Sequence, residues 1–501
     1  MLSNNRAIPI ALTLALSVAA VGKVPAKMAT VLLPNSSPLV TFRLLFNVGS
    51  ASDPKGKEGV AALTASMLSD GGSRAMSYEQ IVEAMYPMAT EFHSQVDKQM
   101  TVFYGATHTD NLQKYYQIIS GMILEPGWRE DDFTRLREDA INFLKVNLRS
   151  NNDEELGKEA LYNFIYESHP FGHQNTGTVE SLEKLTLEDL KKFYRDNYTA
   201  ANFVVGLAGG YPKGFDAKLE SDFAAKLATG AATRLALPEP EKISGLEMQV
   251  TDKDTSSTAI SLGFPIPVTR SNPDFPALLV AQSYFGQHRS SNSYLYQRLR
   301  AIRGLNYGDY AYIEYFPRGM FQFHPDPNQC RQQQIFQIWI RPVELKNGLF
   351  TLRAALYELN KLVKNGMSAE DFEATRQFLM KYVNVLTKAQ DEQLGYALDS
   401  RYYGIPNFGD YVRSALAKLT RDDVNRAIKK YLQAENVKIV VVTKNAAAFK
   451  EAAVGNKPSP ISYATPPPRE ILEEDKTIES YKLNFNLKRV EVLPVDSVFQ
   501  R

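Results

Sequence analysis

Between residues 40 and 48 the chain alternates: Val40, Phe42, Leu44, Phe46 and Val48 are interleaved with Thr41, Arg43 and Asn47. A period of two predicts a strand with one buried face. Gly49-Ser50 and Asp53-Pro54-Lys55-Gly56 break it with turn-forming residues. From Gly59 the period changes, and Val60, Ala61, Leu63, Thr64, Met67 and Leu68 share a helical face that stops at Gly71-Gly72. Two further stretches have helical spacing, one through Leu112, Tyr116, Ile119 and Ile123, the other through Leu349, Leu352, Leu356, Leu359 and Val363.

These two stretches belong to a repeat. Leu185-Thr186-x-x-Asp189 returns as Leu419-Thr420-x-x-Asp423, and Asp132-Phe133-x-x-x-Arg137 returns as Asp371-Phe372-x-x-x-Arg376. Asn202 and Asn436 follow their aspartates at one interval, each leading into an apolar run, residues 203–207 and 437–442. Matches in the same order at a nearly constant offset mean duplicated domains. Each copy mixes strands with long amphipathic helices, which predicts an α+β architecture. The expected layout is a lead-in over 1–26, a first domain over 27–228, a linker over 229–248, a second domain over 249–450, and a Pro-rich spacer and tail over 451–501.

Composition narrows the function. Lys and Arg total 57 against 56 Asp and Glu, so no global field attracts nucleic acid or acidic lipid. The lone Cys330 excludes an internal disulfide, and there is neither a C-x-x-C motif nor a phosphate-binding P-loop. Residues 8–22, after Arg6, form an apolar run of signal-peptide length, too short to span a bilayer. It predicts export, periplasmic in destination. A first strand is the other reading of the same residues, and would leave the protein cytoplasmic. No later segment is apolar enough to cross a membrane.

The opening strand, the Gly/Asp/Pro loop and the Gly-led helix resemble the start of the insulinase/pitrilysin family of zinc metallopeptidases. There the helix carries His-x-x-Glu-His, two zinc ligands one turn apart and a glutamate that activates the bound water. Aligned through Gly59 and Met67, those positions are Ala62, Ala65 and Ser66. The family's third ligand, a glutamate, falls near Phe143, Leu144 or Lys145, where no acid stands. A functional zinc site needs at least three protein ligands, so the resemblance implies a degenerate member with no metal of its own. It also implies two homologous α/β domains forming a clam-shell around a peptide chamber, with the Ala62 helix on its wall.

The second half keeps more of the pattern. Leu295 to Tyr307 resembles the family's Leu-x-x-x-Leu-Arg-x-x-x-Gly-Leu-x-Tyr element. By that resemblance Arg300 and Tyr307 contact the substrate backbone and the oxyanion across the chamber. On composition alone, Arg298, Arg300 and Arg303 equally fit a solvated helix face, with Tyr307 packed on a strand. The family's substrate-binding sheet edge corresponds to residues 89–97, without the usual Asn-Ala pair. His169-Pro170-Phe171-Gly172-His173 reads as a helix-ending turn, since proline and glycine argue against one helical face for both histidines.

The preferred function is therefore a non-catalytic subunit of an insulinase-like peptidase. It supplies a chamber wall, Arg300 and Tyr307 to a homologous partner that carries the zinc and hydrolyses peptides. The alternatives are a peptide-binding or structural scaffold with no proteolytic role, and an autonomous peptidase with an unrecognised site.

Overall fold

The computed structural model describes residues 28–230, 235–463, 465 and 467–501. The apolar run at 8–22, on which the export expectation rests, lies outside them. The first half folds on a five-stranded sheet: β1 Ala29–Pro34, β2 Leu39–Phe46, β3 His93–Val96, β4 Thr101–His108 and β5 Phe203–Gly209. The second has six strands: β6 Leu246–Asp252, β7 Ser257–Ile266, β8 Asp309–Tyr312, β9 Gln334–Glu344, β10 Val437–Thr443 and β11 Phe485–Pro494.

The duplication is exact in topology. The order β1-β5-β2-β4-β3 becomes β6-β10-β7-β9-β8, with β11 added outside β6. Each sheet has one parallel pair within this repeat, β1 with β5 and β6 with β10, and the remaining repeat pairs are antiparallel. The repeated Thr-x-x-Asp motifs are capping boxes: Thr186 and Thr420 accept from the backbone amides of Asp189 and Asp423 and open the helices before β5 and β10.

The halves exchange a helix. Asp153–Ile165 of the first half lies on β7, β9 and β10, and Gln390–Tyr403 of the second lies on β1, β2 and β5. Both occupy the same place in the repeat. Polar contacts fix them: the Tyr162 hydroxyl donates to Gln337 Oε1 (3.0 Å), and Gln390 Nε2 donates to Thr41 Oγ1 (2.8 Å). Burying a helix of one half on the sheet of the other joins the two cores.

Two segments depart from the expected layout. The linker ends earlier than 248, because β6 begins at Leu246 and pairs with β10 and β11. The expected tail is structural. Arg469–Glu479 is a helix packed on Gly348–Asn365, and β11 extends the second sheet. The chain then returns to the first half, where Val179 N donates to Phe499 O (3.0 Å) and Arg149 Nε to Val498 O (2.6 Å). Only Val490 is buried along β11. An edge strand held by backbone hydrogen bonds needs few apolar side chains, so a stretch of low apolar content lies on the body as a strand.

Candidate functional site

The Val60–Asp70 helix starts where the sequence demands glycine. Gly59 has φ +98°, and a Cβ there would stand 2.3 Å from Thr176 O. Asp53 supplies the cap, its two oxygens accepting from Gly59 N (2.6 Å) and Ala61 N (2.9 Å). A carboxylate at that end complements the helix dipole. His173 Nε2 lies 3.2 Å from the same Asp53 oxygen, and the buried Lys98 ammonium donates to His173 O. Burial, with Arg331 nearby, pushes the Lys98 ammonium down to about 7, and burial also lowers His173. His173 is thus spent on helix capping. His169 accepts from Phe171 N through Nδ1 (3.0 Å) and meets Pro238 O through Nε2 (3.1 Å), as a turn histidine does.

The helix packs against β3 and against the helices Leu112–Leu124, Glu130–Asn142 and Leu187–Asn197. Ser69 Oγ meets Ser94 Oγ of β3 at 3.0 Å. Ala65 is fully buried, while Ala62 and Ser66, one turn apart, are half-buried. Neither alanine has a side chain able to ligate a metal or move a proton. The third-ligand stretch is a wider π-wound continuation, Phe143–Ser150, of the preceding helix. Leu144 there is fully buried, Phe143 is partly exposed, and Lys145 lies 4.0 Å from Glu183. Beside the helix, β3 is the outer strand of its sheet, which places residues 93–96 of the expected 89–97 stretch at the sheet's edge.

The Arg300–Tyr307 element is built differently from a solvated face. Arg298 donates to Glu358 Oε1 (2.7 Å) and pairs with Glu474, and Arg303 donates to Asp475 Oδ1 (2.8 Å) and Glu474 (2.9 Å). The side chains of Arg303 and Glu358 are fully buried. Arg300 instead has one ring contact among the described residues: its guanidinium carbon lies 5.7 Å from the Tyr307 ring centroid. Tyr307 is 76% exposed. Its turn is pinned from below, since Asn306 Nδ2 donates to Asp309 Oδ1 (2.7 Å) and Arg341 O (3.1 Å) while Gly308 N donates to Asn306 Oδ1 (3.2 Å). Asp309 is fully buried with Oδ2 unpartnered, and burial pushes its carboxyl up to about 8.

Glu358, Glu474 and Asp475 were not legible as part of this element. Two of them stand on the helix at 469–479, where a run of acids reads as solvated surface. The Ala62 helix and the Arg300–Tyr307 element each pack within their own half, and no hydrogen bond, ion pair or ring contact joins them among the described residues.

Two family models match the chain: "Insulinase (Peptidase family M16)" over residues 30–178 and "Peptidase M16 inactive domain" over 184–379. The chain belongs to this family, peptidase family M16. An uncharacterized zinc protease of Rickettsia felis is 21% identical over 391 residues, 77% of this chain and 88% of that protein. The non-peptidase homolog YmxG of Helicobacter pylori is 21% identical over 423 residues, 81% of this chain and 89% of its own length. Among solved structures, a peptidase M16 inactive domain from Pseudomonas fluorescens superposes with TM-score 0.74 at 21% identity, covering 84% of this chain and 96% of that one. With Ala62, Ala65 and Ser66 at the zinc-motif positions, these matches support a non-catalytic member of the family. Among the described residues no helix is long and apolar enough to cross a membrane.

Proposed function

We propose that this chain is the non-catalytic subunit of an M16 peptidase and presents Arg300 and Tyr307 to a peptide held by a homologous, zinc-bearing partner. One observation carries the reading. In an element whose other arginines are locked into buried ion pairs, the half-buried Arg300 lies beside the exposed Tyr307 and outside that ion-pair network. A guanidinium and a phenol are donors suited to charge that develops on a scissile carbonyl. The partner supplies zinc and general base, and this chain holds neither. On this reading the complete chamber includes the second subunit. Export to the periplasm is part of the proposal and rests on residues 8–22.

A scaffold role without proteolysis is the second reading, and the self-contained Arg300–Tyr307 stack favours it. Purification from the native source separates the two. The subunit reading expects a co-purifying M16 homologue with an intact His-x-x-Glu-His and peptide hydrolysis that needs both chains. Recovery of this chain alone, or a partner equally active without it, supports the scaffold.

A further inference from the structure

The duplicated fold accounts for ten strands and leaves the C-terminal segment over. β11 has no counterpart in the first sheet, and residues 457–501 lie beyond both matched family regions, the second of which ends at residue 379. Two buried arginines of the second half grip this segment. Arg353, on the Gly348–Asn365 helix, donates to Lys457 O (2.8 Å), Glu479 O (2.8 Å) and Tyr481 O (3.0 Å), and so holds both ends of residues 457–481. Arg303 holds the helix between them through Glu474 (2.9 Å) and Asp475 (2.8 Å). Glu474 also pairs with Arg298 and with Lys361 (2.9 Å), and the Tyr463 hydroxyl donates to the second Asp475 oxygen (2.5 Å).

These contacts bear on Arg300 through its backbone. Arg298 and Arg303 flank it in the chain, and Arg303 Nη1 also donates to Arg298 O (2.8 Å), which ties the two ends of the turn together. Gly304 N donates to Arg300 O (3.0 Å) and Leu305 N to Leu299 O (3.1 Å). The turn at 298–305 is therefore anchored on the C-terminal helix. Tyr307 is held separately, by Asn306 bonded to Asp309 of β8 and to Arg341 O of β9. Arg300 has no ion pair of its own among the described residues, so the aim of its long side chain depends on the backbone that carries it.

We propose that Glu474 and Asp475 are positioning residues: through Arg298 and Arg303 they set where Arg300 stands, and so how firmly this chain engages a substrate peptide. The inference rests on the peptide-contacting role given to Arg300 above, and it assigns the support of that residue to a segment outside the duplicated fold. Loss of the two acids loosens the 298–305 turn and leaves Tyr307 in place.

Two measurements on the double variant Glu474→Gln with Asp475→Asn, near-isosteric changes that remove both charges, test it. Hydrogen exchange of the full chain alone reads the turn: the Gly304 and Leu305 amides should exchange about tenfold faster while those of β7 and β10 keep their wild-type rates. Peptide hydrolysis in the reconstituted pair reads the function. KM should rise several-fold with kcat within about twofold of wild type, because Tyr307 is held separately, and the rise should vanish in an Arg300→Ala background. Glu474→Gln alone, which leaves Asp475 on Arg303, should show a smaller effect in both and serves if the double variant does not fold. Three results would overturn the proposal: unchanged exchange at Gly304 and Leu305; faster exchange spread through β7 and β10; or, where Arg300→Ala raises KM, a double variant whose KM stays at wild type or still rises without Arg300. If Arg300→Ala leaves KM unchanged, the peptide-contacting role of Arg300 fails, and the exchange rates alone decide whether the acids position it.

Discussion

Asp97 and Arg331 form a buried ion pair across the two halves, with Arg331 Nη2 2.5 Å and Nε 2.8 Å from the two carboxylate oxygens. Each side chain is about 2% exposed. Asp97 follows β3 and Arg331 precedes β9, so the pair closes the 313–333 segment onto the first sheet. The guanidinium also lies 3.7 Å from the Tyr315 ring centroid, and the Tyr315 hydroxyl donates to Glu159 of the exchanged helix (2.9 Å).

Arg331→Ala strands Asp97 in a low-dielectric interior and should cost about 3–5 kcal/mol, whereas Asp97→Leu with Arg331→Met should lie nearer wild type. Chemical denaturation of the three proteins measures this. A loss under about 1 kcal/mol for Arg331→Ala, the size of an exposed pair, would mean that the pair does not hold the halves together.

Much of this architecture is legible in the sequence. The Val40–Val48 alternation became β2, the Gly59-led helix formed as Val60–Asp70, and the repeated Thr-x-x-Asp motifs became equivalent capping boxes. What escaped has a common cause. The pairing of residue 97 with 331, of Arg303 with Asp475 and of β11 with β6 are long-range contacts of polar or edge residues, which leave no periodic signature. Arg298 and Arg303 read as solvated because their acids lie far along the chain.

Rebuilding the zinc motif as Ala62→His, Ala65→Glu and Ser66→His should yield neither firmly held zinc nor peptide cleavage. The third ligand is still missing at 143–145, and a complete structural site's roughly 10–16 kcal/mol of binding is not reached. Ala65 is fully buried, so the glutamate also overpacks the core, at about 1–3 kcal/mol or more. Metal content after exhaustive dialysis is the check. One retained zinc per chain with new hydrolysis would contradict the emptied-site account.

Asp309 sets a pH dependence. Its folded value is about 8 against about 3.9 in an unfolded chain. Because burial raises it, its stabilising contribution is complete below about pH 4 and is lost as pH rises toward 8. Asp309→Asn keeps an acceptor for Asn306 and cannot ionise. Its melting temperature relative to wild type should therefore rise between about pH 4 and pH 8. A difference that stays flat across that range would show that Asp309 ionises freely in the fold.

The central claim, that this chain lends Arg300 and Tyr307 to a partner's chemistry, is tested most directly by turnover in a reconstituted pair. Tyr307→Phe keeps the ring beside Arg300 and removes only the hydroxyl. If that hydroxyl stabilises the developing oxyanion, kcat of the zinc-bearing partner should fall about a hundred- to thousandfold while complex formation persists. Arg300→Ala should lower kcat/KM as well, through lost contact with the peptide backbone. Undiminished turnover with both variants, in complexes that assemble normally, would contradict the account and leave a structural subunit.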